Sequence, residues 1–341
     1  MSLWYGNSGN GGAASRIKGG MGMKTKPITG TWFEFLHHNT AEGKYWNDTL
    51  TAFTEEQWRE KIREMKEPGM RYIVLLATAL HFKAYYKTSI FPEWKIGCED
   101  PIEVLLDEAD KQGMHVFIST GFYGDWMDPI GNMTDPAVLK KMLTAINELS
   151  ALYGHHPSFY GWYYPDETWI NGHLSEEFMR YVNLSSAEIH KMDKRFRTLI
   201  GPYGTRDVIA DERYIHDLEL LDIDFMAYQD EIGVRKTKLS ESEGFYAALK
   251  RVHDKAGRAK LWADVEVFEF EGEVYKSALL PAPFERVQKQ LEAVSPYVEE
   301  ILIYEYPGLM NKPGSKAFVG HPSSEKLYEE YMAYRAALEE K

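Results

Sequence analysis

Eight apolar segments rich in β-branched and aromatic residues alternate with eight amphipathic segments along this chain of 341 residues. The apolar segments predict strands over residues 28–35, 71–78, 115–122, 159–165, 197–203, 223–229, 260–268 and 300–306. The amphipathic spacing predicts helices over residues 54–66, 101–112, 136–153, 175–194, 209–220, 242–256, 283–294 and 324–338. Eight such units fit a single (β/α)8 barrel, the TIM barrel, better than any open sheet. A doubly wound sheet with extra strands is the alternative.

The first 26 residues differ in kind from the rest of the chain. They are rich in Gly, Ser and Asn and have neither helical nor strand periodicity. We expect residues 1–26 to be a disordered leader or an expression tag, and residues 27–341 to be the barrel domain. Because a leader can replace a native signal peptide, a secreted or periplasmic location of the natural protein stays open.

Composition narrows the class of partner. The formal net charge is -13, whereas nucleic acids and anionic membranes are usually met by basic patches. The single cysteine, Cys98, excludes an internal disulfide framework and a Cys-rich zinc site. No apolar run is long enough to cross a bilayer. We therefore expect a neutral or modestly charged partner, no nucleic acid and no membrane-spanning segment; the oligomeric state is left open.

Acidic and aromatic residues crowd the predicted carboxyl ends of the strands, where barrel enzymes build their active sites. The candidates for this face are Glu34, Trp126, Asp166, Glu167, Trp169, Tyr228, Asp264, Glu266 and Glu305. Sugar rings stack their C–H faces on aromatic side chains, and sugar hydroxyls need charged or amide partners. This mixture favours a carbohydrate substrate.

Glycoside hydrolysis uses two carboxyl groups, which stand roughly 5 Å apart in retaining enzymes and roughly 6.5–9.5 Å apart in inverting ones. The fourth and seventh strands lie nearly opposite each other in an eight-stranded barrel, so acids at their ends can flank one bond. On the seventh strand, alternation places Asp264 and Glu266 on the interior face and Val265 and Val267 on the helix face. We expect Glu167 to be the general acid/base and Glu266 the nucleophile.

A family resemblance supports this assignment. The segment His156-Pro-Ser-Phe-Tyr-Gly161-Trp162-Tyr-Tyr-Pro-Asp-Glu167 resembles the fourth strand of retaining glycosidase barrels. With Gly30-Thr-Trp-Phe-Glu34 and Trp262-Ala-Asp-Val-Glu266, the chain over residues 27–340 is more similar to a bacterial family of proposed glycoside hydrolases catalogued as domain of unknown function 4434. The resemblance implies Glu167 as acid/base, Glu266 as nucleophile and Tyr228 near the nucleophile. The chain departs at Asp166, where the retaining clan usually has Asn.

Each candidate also has a structural explanation. Asp166 and Glu167 could cap a following helix. Glu266 could be a salt-bridge partner, and Arg71 or Arg206 could neutralise Glu34 or Glu305.

The histidines, among them His37 and His81, lack the usual metal-ligand spacing, and phosphate-loop, dinucleotide and nucleophile-elbow motifs are missing. We expect no metal and no cofactor.

The sequence thus predicts a glycoside hydrolase that cleaves a poly- or oligosaccharide, with retention. A carbohydrate-binding TIM barrel without catalysis is the alternative. A third possibility is a metal-assisted hydrolase or lyase that uses strand-end carboxylates with His37 or His81. The sugar, its linkage and the choice between endo and exo action depend on loop shapes that spacing does not predict.

Overall fold

The computed structural model describes residues 25–340, and their central element is a closed barrel of eight parallel strands. The strands are β1 Gly30–Phe33, β2 Tyr72–Leu75, β3 His115–Ser119, β4 Phe159–Tyr164, β5 Arg197–Ile200, β6 Phe225–Gln229, β7 Lys260–Glu266 and β8 Ile301–Tyr304. They follow one another around the barrel, and β8 closes it by pairing with β1. Every predicted strand is present, and the predicted fold class is confirmed.

Ten α-helices lie within the described residues. They are α1 Asn47–Ala52, α2 Glu55–Lys66, α3 Pro101–Gln112, α4 Pro129–Thr134, α5 Pro136–Tyr153, α6 Glu176–Met192, α7 Glu212–Leu220, α8 Leu239–Ala256, α9 Phe284–Val294 and α10 Ser323–Glu339. The eight predicted helices correspond to α2, α3 and α5–α10. The short helices α1 and α4 were not predicted. They belong to loops that follow β1 and β3, and those loops help to form the rim of the barrel.

Local chemistry explains where the main helices begin. The Thr54 hydroxyl accepts from the N–H of Gln57, whose side chain bonds back to the N–H of Thr54, a reciprocal capping box. Asp135 accepts from the N–H of Ala137 at 2.8 Å before the proline that opens α5. Because such caps satisfy N–H groups that a helix leaves unpaired, they set its first turn.

The barrel interior is filled by a closely packed layer of large apolar side chains. Alternation along each strand points these residues inward, and together they form an apolar plug, composed of Trp32, Val74, Leu76, Phe117, Tyr163, Leu199, Ala227, Trp262 and Leu302. Continuing the same inward alternation toward the carboxyl ends brings a polar layer above the plug, which includes Gln229, Asp264, Glu266 and Tyr304. The register pairs Gln229 with Asp264, and Glu266 with Tyr304. The carboxyls of β7 therefore stand on an apolar base.

Two further observations concern the ends of the chain and the membrane. Residues 1–24 and 341 lie outside the described residues, so nearly all of the predicted leader falls there. Among the described helices, none combines the length and the apolar character that a membrane span requires.

Candidate active site

A cleft of about 510 Å³ opens at the carboxyl ends of the strands. Its wall includes the carboxyl side chains of Glu42, Asp166, Glu167, Glu231, Asp264 and Glu266. Aromatic side chains complete the wall, among them Phe122, Trp126, Tyr203, Phe268, Tyr275 and Tyr304. The structure thus brings together five of the predicted site residues: Trp126, Asp166, Glu167, Asp264 and Glu266.

Glu167 follows the last residues of β4 and turns back toward the barrel axis. Its N–H donates to the carbonyl of Pro165 at 2.9 Å, a tight turn that ends the strand. The Tyr163 hydroxyl donates to Oε1 at 2.7 Å, and the Gln229 amide donates to Oε2 at 2.7 Å. Burial nevertheless outweighs these two bonds and raises the pKa of Glu167 to about 7. A carboxyl of this kind can hold a proton near neutral pH and release it during a reaction.

Glu266 is the last residue of β7 and is almost fully buried. The N–H of Val234 donates to its Oε2 at 2.8 Å. Its main chain is held from two sides: Asp230 accepts from its N–H at 3.3 Å, and Gln290 donates to its carbonyl at 3.1 Å. Burial, with the negative charge of Asp230, raises the pKa of Glu266 well above its usual range.

Asp264 lies two residues before Glu266 in β7, on the same inward face, and forms the floor of the cleft. It is 3% exposed, and within residues 25–340 its buried oxygen Oδ1 has no hydrogen-bond partner. Burial and the charges of Glu266 and Glu167 raise the pKa of Asp264 well above its usual range. A buried carboxyl without a donor is costly, which marks this position as one that a bound molecule could complete.

Asp166, the residue before Glu167, also lines the cleft. Asn132 donates to its Oδ1 at 2.7 Å, and the Tyr181 hydroxyl donates weakly to its Oδ2 at 3.5 Å. Burial raises the pKa of Asp166 to about 7. Helix α6 begins only at Glu176 and is capped by Ser175. The capping explanation therefore applies to neither acid at the end of β4.

Glu34 and Glu305 do not form part of the cleft wall, which corrects the expectation of direct substrate contact. They are 2% and 0% exposed and face each other behind Tyr304. Trp46 donates to Glu34 at 3.3 Å, and burial raises the pKa of Glu34 to about 8. Two facing carboxyls are stable when they share one proton. The hydroxyl of Tyr304, which does line the cleft, lies 3.4 Å from Glu34, so the pair contacts the cleft through Tyr304.

Tyr228 also needs correction. Ala227 and Gln229 occupy the inward positions of β6, so alternation turns Tyr228 outward, into the layer between the barrel and its helices. Its hydroxyl lies 2.8 Å from that of Tyr214 and 3.0 Å from Nε2 of His253. It is fully buried there and has no place in the cleft wall.

The two candidate stacking residues differ in position. Trp126 lines the cleft and packs edge-to-face on His38, with 4.6 Å between the ring centroids. Trp169 is 51% exposed and does not line the cleft. Its indole N–H donates to Asp207 at 2.9 Å, which fixes the ring in the loop two residues beyond Glu167.

Several residues near Glu167 were not among the predicted site residues. Tyr163 from the layer below the cleft and Gln229 from the cleft wall donate to Glu167, and both occupy inward positions of β4 and β6. Lys236 and Tyr275 line the cleft from the loops after β6 and β7. Loops have no regular side-chain periodicity, so the sequence does not predict which way these side chains point.

Glu34, His37 and His38 offer ligand atoms within 4.8 Å of one another. However, the N–H of Asn39 donates to Nδ1 of His37 at 3.1 Å, which places the imidazole proton on Nε2. A metal-bound histidine normally donates from its other nitrogen instead. His81 lies alongside, with Nε2 3.1 Å from the carbonyl of His38. The hydrogen bonding at His37 thus suits a neutral, packed imidazole, and burial lowers its pKa well below the usual range.

Comparisons with known proteins agree with this architecture. The family model described as "Domain of unknown function (DUF4434)" matches residues 28–317. A candidate alpha-L-fucosidase from Bacteroides thetaiotaomicron VPI-5482 superposes with a TM-score of 0.74 and 17% identity, covering 96% of this chain and 99% of the other. An endo-beta-1,4-mannanase from Thermotoga petrophila gives 0.59 and 10%, covering 92% and 77%. One from Rhizomucor miehei gives 0.55 and 10%, covering 91% and 95%. At such identities the likeness shows the fold. No curated protein sequence matches significantly.

Proposed function

Because the chain belongs to the DUF4434 family and has a barrel like that of glycoside hydrolases, we propose that it is itself a glycoside hydrolase that cleaves O-glycosidic bonds with retention. One observation carries this proposal. Glu167 at the end of β4 and Glu266 at the end of β7 line the same cleft, although 99 positions separate them in the chain. Burial raises the pKa of Glu167 to about 7, the value that a residue needs in order to act first as an acid and then as a base.

In the first step, the Glu167 carboxyl gives its proton to the glycosidic oxygen as the bond between that oxygen and the anomeric carbon breaks. The Glu266 carboxylate forms an ester bond to the anomeric carbon. In the second step, the Glu167 carboxylate takes a proton from water, the water oxygen bonds to the anomeric carbon, and Glu266 leaves. One water molecule is consumed, and both residues return to their starting protonation.

Each residue has a neighbour suited to its role. Tyr163 and Gln229 donate to Glu167, so they favour the carboxylate that forms after proton donation. The N–H of Val234 and the charge of Arg286 favour the ionised form of Glu266, which is the form that attacks. The aromatic wall, including Trp126 and Tyr203, offers faces for the sugar rings on either side.

One observation favours a second candidate, a barrel that binds carbohydrate without cleaving it. Burial and the charge of Asp230 raise the pKa of Glu266, which disfavours the ionised form in the empty cleft, and only an ionised carboxyl attacks an anomeric carbon. If a bound glycan does not ionise Glu266, the cleft acts as a receptor. The two candidates differ in whether a glycan panel yields products or only complexes.

The deciding experiment compares Glu167→Gln and Glu266→Gln with Glu300→Gln, a control at the opposite end of the barrel. On natural glycans we expect each cleft variant to lose at least about a hundredfold in kcat, the scale of general acid–base and nucleophilic contributions. On aryl glycosides with good leaving groups, Glu167→Gln should keep its first step, because no protonation is needed there. Glu266→Gln should lose activity on natural glycans and on aryl glycosides alike.

The anomeric configuration of the first product, read by proton NMR, tests the nucleophile independently. Retention is expected, and inversion would contradict a covalent role for Glu266. Full activity of both cleft variants would overturn the proposal.

A further inference from the structure

The floor of the cleft presents carboxyl oxygens for which residues 25–340 provide few donors. Within residues 25–340, Oδ1 of the nearly buried Asp264 has no hydrogen-bond partner. Glu266 is the next inward-facing residue of the strand, and among the described residues its carboxyl has one donor, the N–H of Val234, which binds Oε2. A bound molecule that completes this floor must bring donors of its own, and it must bring several.

We infer, resting on the proposed glycosidase function, that the sugar held at this floor carries a free amino group, so that the substrate class is a cationic glycan of amino sugars. An ammonium group has three donors and a positive charge, which suits the neighbouring carboxyls of Asp264 and Glu266. A sugar hydroxyl has one donor and no charge.

The charges around the cleft point the same way. Six carboxyl groups line it, and Lys236 is the one Lys or Arg among the described residues of its wall. Lys236 lies 3.7 Å from Glu231, so its charge is already largely balanced. Each of these carboxyls adds negative charge when it ionises, and the ionised cleft repels a uronic acid and attracts a cation.

The other carboxyls of the wall already have partners. Asn132 holds Asp166, and Tyr163 with Gln229 holds Glu167. The backbone N–H groups of Gly204 and Thr205 donate to Glu231 at 3.0 Å each, and Asn39 donates to Glu42 at 2.6 Å. Asp264 differs from them because no donor in the described part of the chain reaches its buried oxygen Oδ1. This contrast locates the amine at the floor and not merely somewhere in an acidic cleft.

The proposed role of Glu266 gives an independent reason to expect an amino group in the substrate. The nucleophile must be ionised, yet Asp230, Glu231 and Asp264 surround it with like charge. A substrate ammonium between Asp264 and Glu266 adds positive charge to that of Arg286 and so favours the ionised nucleophile. Under this arrangement the correct substrate itself ionises the nucleophile, and a neutral analogue does so less well.

The test uses monosaccharides, which are not cleaved, so that its outcome does not depend on hydrolysis. Binding is measured by calorimetry for the amine, N-acetyl and hydroxyl forms within each of the gluco, galacto and manno series. In one series the amine should bind at least about tenfold tighter than its two counterparts, as charge-assisted hydrogen bonds are roughly twice as strong as neutral ones. Repeating the titration in buffers of different ionisation enthalpy should reveal proton release for the amine alone.

Two variants localise the effect. Asp264→Asn should abolish the preference for the amine, while Glu42→Gln, which removes a carboxyl elsewhere in the same wall, should keep it. Equal or weaker binding of the amine in all three series would overturn the inference, as would equal losses in the two variants. Proton release by the unaltered protein decides the matter if Asp264→Asn does not fold.

The proposed function and this inference can fail separately. Tight, proton-releasing amine binding with no cleavage of any amino-sugar oligomer contradicts the glycosidase proposal only. Cleavage of neutral or fully N-acetylated glycans with no response to amines contradicts the amine site only.

Discussion

The side-chain amide of Gln229, at the end of β6, donates a hydrogen bond of 2.7 Å to Oε2 of Glu167, at the end of β4. The same amide also donates to the carbonyl of Gly201 at 3.0 Å, directly after β5, the strand that separates β4 from β6. Gln229 is therefore locked in place by the barrel itself. Its orientation fixes one oxygen of Glu167, while Tyr163 fixes the other.

This arrangement predicts how Gln229→Leu changes the pH dependence of activity. Losing a donor to the carboxylate favours the protonated form, so the pKa of Glu167 should rise further above about 7. A hydrogen bond to a charged group is worth about 1.5–3 kcal/mol, which corresponds to about one pH unit or more. The basic limb of the kcat/KM profile should therefore move to higher pH. Tyr163→Phe should move it the same way, and a shift to lower pH in either variant would contradict the role of these donors.

Stability should fall as the pH rises from mildly acidic values. In the folded chain, burial raises the pKa of Glu34 to about 8 and the pKa values of Glu42, Asp166 and Glu167 to about 7. Since these pKa values are lower in the unfolded chain, the folded state binds more protons between roughly pH 4 and 8. The contribution of these groups is fully present below that window and is lost as the pH rises through it. Thermal unfolding at pH 5 and pH 8 checks the sign.

Glu34→Gln is the matched variant for this pH effect. Gln cannot ionise, so the decline in Tm between pH 5 and pH 8 should be smaller than in the unaltered protein. An unchanged slope would mean that Glu34 is already ionised in the folded state, against its burial beside Glu305.

Tyr228→Phe should destabilise the protein without affecting catalysis. The substitution removes the hydroxyl that lies against Tyr214 and His253 and leaves those buried groups short of a partner, at a cost of about 1–3 kcal/mol. Urea unfolding measures this loss, and kcat/KM for any cleaved glycan should stay within about twofold. A large fall in kcat/KM in a folded variant would return Tyr228 to the site.

Trp126 and Trp169 should affect substrates of different length. Trp126→Ala removes an aromatic face of the cleft wall and should raise KM for short and long oligosaccharides alike, by about tenfold or less for one stacking contact. Trp169→Ala acts outside the cleft, on an exposed ring held by Asp207. It should weaken only the longer substrates. A uniform effect of Trp169→Ala would place its ring at the cleaved bond instead.

Most of the fold could be predicted from the sequence because the helix-capping signals and the hydrophobic periodicity agreed. Asp135-Pro136 marked the start of α5 to the residue, and the alternation of Asp264 and Val265 correctly assigned the two faces of β7. The same rule turns Tyr228 outward, whereas the family resemblance implied a position near the nucleophile. Burial behind another side chain, as for Glu34 and Glu305 behind Tyr304, depends on packing between distant strands and has no signature in local spacing.

The apolar plug beneath the carboxyls of Asp264 and Glu266 determines how molecules can enter and leave the cleft. Side chains such as Trp32, Phe117 and Trp262 fill the interior below the cleft and block passage through the barrel to its other end. In a retaining reaction the leaving group must depart through the same mouth by which water later arrives. Under the proposed mechanism, any small alcohol that stays at this mouth after the first step would compete with water for the sugar on Glu266. If the chain acts by the proposed retaining mechanism, glycosyl transfer to another acceptor is the side reaction to expect.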